Sequence, residues 1–395
     1  MTTIRYNPYD FAIHEDPYPT YALMREHAPL YRNDDLDFWA LTRHADVEAA
    51  ARNHKLYSNS YGVTLDLWSP NAKKRSSFIS MDPPEHSHFR ALISKGFTPR
   101  RVAELEPRIR DITRHHLANV LDRGTFDFVT DFAQAVPVDV ISELIGVPAA
   151  DRNRVLQLSN TSIEREDGSS DIPPAAVDAT LQLLTYYGDL IAERRVHPAD
   201  DLTSALIAAD IDGERLSDSD IRAVVHLLGS AGNESTTKIL ANAWYQAARH
   251  PVERAKAWAG AIPQWVEETL RYDSSGQLVA RYVNADATWY GTTIPAGSRL
   301  LLIFAAANRD PRVYADADQY NLDRYSPGHN SPPPLAFGTG PHFCLGAALA
   351  RLETRIILEE LAAVLHEDYD VGQPRRVHHG NLRGMASLPT TVKPR

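Results

Sequence analysis

The sequence predicts a mainly α-helical chain with a small β portion, forming a single domain over residues 1–395. Three observations carry this expectation. Apolar residues recur at spacings of three and four, with charges between them, in "RVAELEPRIRDITRHHLANVLDRG", "DATLQLLTYYGDLIAERR" and "GAALARLETRIILEELAAVL". Strand-like alternation is largely confined to residues 28–43 and 286–308. No internal repeat, low-complexity tract or Gly/Ser linker divides the chain.

Taken in order, the N-terminal "MTTIRYNPYDFAIHEDPYP" is polar and proline-punctuated. It lacks the basic and apolar regions of a signal peptide, so a soluble cytoplasmic protein without a membrane anchor is expected. "APLYRNDDLDFWALTR" (28–43) reads as a hairpin with a polar turn. "DPPEHSHFRALISKGFTPR" places His86 and Arg90 four apart, on one face of a helix that starts after Pro83 and Pro84. The longest helix is expected from Ser217, its N-cap with Asp220 three positions on, to about His250, where Pro251 stops it. Its middle, "GSAGNESTT", is a poor helix former: Gly229 and Gly232 each cost about 1 kcal/mol relative to alanine. Such local inconsistency collects at functional sites, although close helix packing on glycine explains it equally well. Glu268 and Arg271 lie three apart in "WVEETLRY", the spacing of a helix-surface ion pair. Residues 286–308 read as short strands broken by Gly291 and Pro295.

The composition is 43% hydrophobic and 23% charged, with a net charge of −10. That balance argues against nucleic-acid binding. Lys73, Lys74 and Arg75 form a cationic run, ordinarily a solvated loop. There is no Gly-rich dinucleotide fingerprint after a strand, so electrons for any redox chemistry must come from a separate protein.

Cys344 is the one cysteine, in "FGTGPHFCLG" (337–346). Gly338 and Gly340 permit backbone angles closed to other residues, and Gly346 opens a strong amphipathic helix. Cys344 therefore sits just before a helix N-terminus, where amides and dipole favour a thiolate. Such a thiolate is a nucleophile, with His342 as its candidate base, or a metal ligand. Zinc would need further clustered ligands, whereas haem needs one axial thiolate.

The stretch resembles the haem-ligand signature of the cytochrome P450 family, matched at Phe337, Gly338, Gly340, His342, Cys344 and Gly346. The resemblance extends to nearly the whole chain, including Asn308, Arg309, Asp310, Pro311, Asp323 and Arg324. It implies a P450 fold with a long distal helix across haem b, and a monooxygenase that inserts one oxygen atom from O2 into an apolar small organic substrate. It further implies that Cys344 is the iron ligand, that Phe337 packs near the sulfur, and that His342, His86, Arg90 and Arg281 meet the haem propionates. Glu268 and Arg271 become a buried structural pair. Ala231 and Gly232 allow close approach and O2 binding, and Glu234 and Ser235 deliver protons. Ser235 stands where the family normally has threonine, which leaves peroxide-driven or rearrangement chemistry, or a haem-thiolate binding protein without turnover, as alternatives. The access regions map to residues 61–80, 159–178 and 275–280 and to "GMASLP", with Leu67, Trp68, Leu227, Leu228, Leu278, Val279 and Met385 as wall residues. The implied partner is a ferredoxin or flavodoxin with its reductase, docking near Arg100, Arg101 and Arg351.

Overall fold

A 32-residue helix, Asp218–Arg249, runs through the middle of the molecule. At about 1.5 Å per residue it spans about 48 Å. Ser217 accepts from Asp220 N and the Asp220 side chain returns the bond, completing a capping box. Pro251 opens the next helix, Pro251–Trp258, so the expected start and stop both hold. The computed structural model describes residues 4–94, 96–211 and 213–395, and the side chains of Arg75, Ile211 and Glu214 lie outside what it describes.

Helices Ala135–Ile145 and Pro174–Val196 pack on the first half of the long helix, and Ile262–Tyr272 and Ala347–Val364 on its second half. Its glycines are contact points. A Cβ on Gly229 would stand 2.4 Å from Tyr187 Oη, and one on Gly232 would stand 2.9 Å from Ile141 Cδ1. The packing explanation of the weak centre is therefore correct for both positions. Gly229→Ala is expected to lose about 1–3 kcal/mol to overpacking, against about 1 kcal/mol gained in helix propensity. Tyr187→Phe in the same chain removes the clashing oxygen and should restore most of the loss in a denaturant titration.

The strands follow the sequence reading only in part. The hairpin of residues 28–43 and the short strands after residue 286 are present. Tyr57–Ser58, Thr125–Asp127, Val279–Val283 and the C-terminal strands Met385–Ser387 and Pro389–Thr391 lie outside the expected ranges, and Phe304–Ala307 is helical. Leu30–Asn33 and Phe38–Leu41 form the antiparallel hairpin, with Leu30 opposite Leu41. Arg299–Leu302 runs parallel to its second strand and antiparallel to Val279–Val283, whose outer edge takes Tyr57–Ser58. Ala287–Trp289 and Thr292–Ile294 form a separate ribbon that turns at Tyr290 and Gly291, both at positive φ. The largest core cluster gathers around Trp244, which stacks on Phe128 at 4.8 Å and on Tyr369 at 3.8 Å.

Glu268 and Arg271 are fully buried, not a surface pair. Arg271 donates to both Glu268 oxygens at 2.8 and 2.7 Å, and to the carbonyls of Asn308, Ala317 and Gln319. Asn308 in turn accepts from Leu335 N at 2.6 Å, where the cysteine loop begins. A continuous hydrogen-bond chain thus ties the buried pair to the position of the loop.

Candidate active site

The cysteine loop is built from two short 3-10 turns, Leu335–Phe337 and Gly340–His342. Gly338 at φ 68° and Gly340 at φ 72° reverse the chain between them. A Cβ on Gly340 would stand 3.1 Å from Ala51 O and from Arg52 Cα, so this turn needs glycine for its fit as well as for its angles. Cys344 N donates to Phe337 O at 2.9 Å, closing the loop, and helix Ala347–Val364 follows with Gly346 as its N-cap.

Cys344 keeps an accessible surface although protein mass surrounds it densely. Burial pushes its thiol up, while the amides of Gly346 and Ala347 and the charges of Arg90 and Arg351 push it down. The expected helix-terminus effect is present, but desolvation outweighs it, so in the polypeptide alone the thiol is raised. A bound metal cation supplies the positive charge that reverses this balance.

Three cationic or imidazole side chains from two other parts of the chain converge beside the loop's own His342. Arg90, on helix Glu85–Ser94, donates to Phe343 O at 2.6 Å. The rings of His86 and His342 are 4.1 Å apart. Arg281, on strand Val279–Val283, is 4% exposed. Both His86 nitrogens and His342 Nε2 are buried without hydrogen-bond partners among the described residues. Burial and mutual repulsion hold these rings neutral: His86 is lowered to about 4 and His342 to about 2. Orphaned imidazoles beside one buried and one half-buried guanidinium match a dianionic group such as the two propionates of haem, with the thiol alongside for the iron. His54, whose Nδ1 is likewise unpartnered, faces the same cluster and escaped the sequence reading. Its only sequence signal is a position just after a helix that ends near Gly340's contact.

The long helix contributes an accessible stripe in an otherwise buried element. Leu227, Ala231 and Ser235, at intervals of four, are half-buried, exposed and half-buried. Ser235 Oγ donates to Ala231 O at 2.8 Å. Gly232 is half-buried, and Glu234 faces inward at 4% exposure, with burial raising its carboxyl to about 7.

The remaining sequence-predicted residues divide. Leu278 and Trp68 join one cluster, with Trp68 beside Tyr61 and Tyr282. Leu67 and Val279 are half-buried, Leu228 packs with Ile141 and Tyr187, and Met385 lies in the main core at 1% exposure. Asp66 and Arg165 were also missed; their buried ion pair at 2.5 Å joins the first two access regions. Arg351 is not part of an open basic patch: its guanidinium lies over the Phe337 ring at 4.6 Å and pairs with Glu267. Arg100 pairs with Glu104, and Lys73 with Glu85. Among the described residues no helix is long and apolar enough to cross a membrane, and no cluster of three metal-ligating side chains occurs.

Comparison with known proteins bears on the family and the fold. Residues 262–367 match the family model described as Cytochrome P450. A Mycobacterium bovis protein with a cytochrome P450 designation is 50% identical, with 98% of this chain and 97% of the relative covered. The Vitamin D(3) 25-hydroxylase of Pseudonocardia autotrophica is 37% identical, over 96% of this chain and 95% of the relative. The structure of a cytochrome P450 from Chondromyces apiculatus superposes with a TM-score of 0.87 at 32% identity, covering 99% of this chain and 98% of that one. With a thiol-bearing loop, a set of donors suited to haem carboxylates and full-length relatives of this kind, the chain belongs to the cytochrome P450 family and is a haem-thiolate monooxygenase.

Proposed function

We propose that this single-domain, cytoplasmic enzyme hydroxylates an apolar small organic molecule, with electrons from a ferredoxin or flavodoxin and its reductase. The observation that carries the reading is the combination of the Cys344 loop, the orphaned His86 and His342 beside Arg90 and Arg281, and the accessible stripe of the long helix. Cys344 would hold the iron of a bound haem, Phe337 would shield its sulfur, and His86, Arg90, Arg281 and His342 would hold the propionates. Bound haem would supply the redox chemistry with O2, and the Cys344 thiolate would make its iron electron-rich.

The protein's own residues do the rest. Ala231 presents little bulk on the accessible face, which leaves space for a small diatomic molecule, while Gly232 admits the side chain of Ile141. Ser235 Oγ, already donating to Ala231 O, accepts a proton on one lone pair while handing on its own, and Glu234 replenishes it. Leu67, Trp68, Leu227 and Val279 supply apolar walls that exclude water and orient a C–H bond, whereas Leu228, Leu278 and Met385 are taken up by core packing. Arg101, with Arg100, offers the partner a cationic contact near the cysteine side, whereas Arg351 serves the loop instead.

Product formation with a surrogate ferredoxin and reductase, across a library of apolar compounds that includes vitamin D3, tests the reading. No product from any member, with haem fully loaded and reducible, would sink it. Ser235→Ala is expected to lower product formation about 100-fold and to divert electrons to peroxide, while Ser235→Thr keeps turnover. Product and peroxide yields per electron pair measure both. Ser235 in place of threonine favours peroxide-driven oxidation as the second reading, which predicts turnover with hydrogen peroxide and no redox partner.

A further inference from the structure

Lys238 stands one helical turn after Glu234. Its Nζ lies 3.7 Å from Glu234 Oε2 and 3.4 Å from the Glu234 backbone carbonyl oxygen. An i,i+4 Glu–Lys pair ordinarily decorates a helix surface, where it contributes little. Here the two side chains are 4% and 5% exposed, so each charge has lost its water and depends on the other. The C-terminal segment is shaped to accept the lysine: a Cβ on Gly384 would stand 2.4 Å from Lys238 Cγ and 2.5 Å from its Cβ. Glu234 Oε1, meanwhile, is buried with no hydrogen-bond partner among the described residues. One carboxylate oxygen is thus taken by the lysine and the other is left for a proton.

We propose that Lys238 is a positioning residue for proton delivery: seated against Gly384, its ammonium engages one oxygen of Glu234 and governs whether the other carries the proton passed on toward Ser235. The inference rests on the assignment of Glu234 as the acid of the relay.

The other charged and titratable groups facing this pair are Arg165 with its partner Asp66, and His379 with His14 beyond it. Burial raises the Glu234 carboxyl, and Lys238 and, more weakly, Arg165 oppose the rise. Burial likewise lowers the Lys238 ammonium. Removal of the lysine charge leaves desolvation opposed by Arg165 alone, so the carboxyl must hold its proton to higher pH.

The test is an infrared titration of the haem-loaded enzyme, with the Glu234 carboxyl band identified by its loss in Glu234→Gln. In Lys238→Met the band should persist to a pH about one unit or more above the wild-type midpoint, and Lys238→Arg should return it toward wild type. The pH profile of product formed per electron pair should move in the same direction. Lys238→Gln serves if the methionine variant does not fold, because it keeps the polarity without the charge. An equal midpoint in wild type and the neutral variants, or a Glu234 band absent from all of them, overturns the proposal. The infrared readout requires no turnover. Failure of the monooxygenase reading would therefore show as absent product with the band shift intact, a different result from failure of the lysine's role.

Discussion

Cys344→Ser is expected to remove the red-shifted Soret band of the reduced carbon monoxide complex and to lower monooxygenase turnover by about 10³-fold or more, equivalent to about 4 kcal/mol of barrier. A serine oxygen is a poor iron ligand at neutral pH and cannot push electron density as a thiolate does. The geometry predicts that the fold survives. Cys344 holds its loop through its backbone N–H to Phe337 O, and Gly338 and Gly340 set the reversal, so none of the loop's own contacts needs the sulfur. His86, Arg90, Arg281 and His342, the proposed propionate partners, would be unchanged in this variant. The measurement is a pair of spectra at matched haem content, with circular dichroism as the check on folding. An unaltered carbon monoxide spectrum in the serine variant would remove Cys344 as the ligand.

Glu268→Ala is the most destructive change expected for stability. Glu268 is 0% exposed, accepts two bonds from Arg271 and one from Asn321 N, and stands 3.4 Å from Arg324 Nε. Its removal leaves two buried guanidiniums without their counter-charge, which costs about 3–5 kcal/mol. The loss reaches the active site as well. Arg271 holds Asn308 O, and Asn308 Oδ1 accepts from Leu335 N at the start of the cysteine loop. The variant should therefore unfold at lower urea and bind haem poorly even where it remains folded. Arg271→Lys keeps the charge but cannot span both Glu268 oxygens and three carbonyls, so it should fall between wild type and Glu268→Ala. A urea midpoint for Glu268→Ala equal to that of wild type would show that the pair is not an anchor of the loop.

Much of the site was legible because its signals are local. The Ser217–Asp220 cap and Pro251 bound the long helix through chemistry within one turn of the chain. Gly338 and Gly340 announced a reversal next to a helix start, and the alternation in residues 28–43 announced the hairpin. The family motif added identity where the bare spacing left Cys344 open between nucleophile and ligand.

Other features depend on neighbours distant in sequence. Glu268–Arg271 and Glu234–Lys238 have the spacing of ordinary surface pairs, and only the tertiary structure buries them. Arg351 looked available to a partner until Phe337 and Glu267 were seen to hold it. The Asp66–Arg165 pair joins positions 99 apart in the sequence, and the orphaned rings of His86, His342 and His54 meet only after three segments pack. The thiol of Cys344 was expected to be lowered by its helix terminus, yet burial raises it.

The amino-acid order alone thus determined the helical framework, its caps, the glycine-built loop and the placement of the one sulfur at a helix start, because those depend on backbone angles and contacts within a turn or two. The folded structure alone decided which charges are buried, which imidazoles lack partners and which residues share a face with Ser235. Desolvation and Coulomb energies act through space, and sequence spacing carries no measure of the distance between segments that folding brings together.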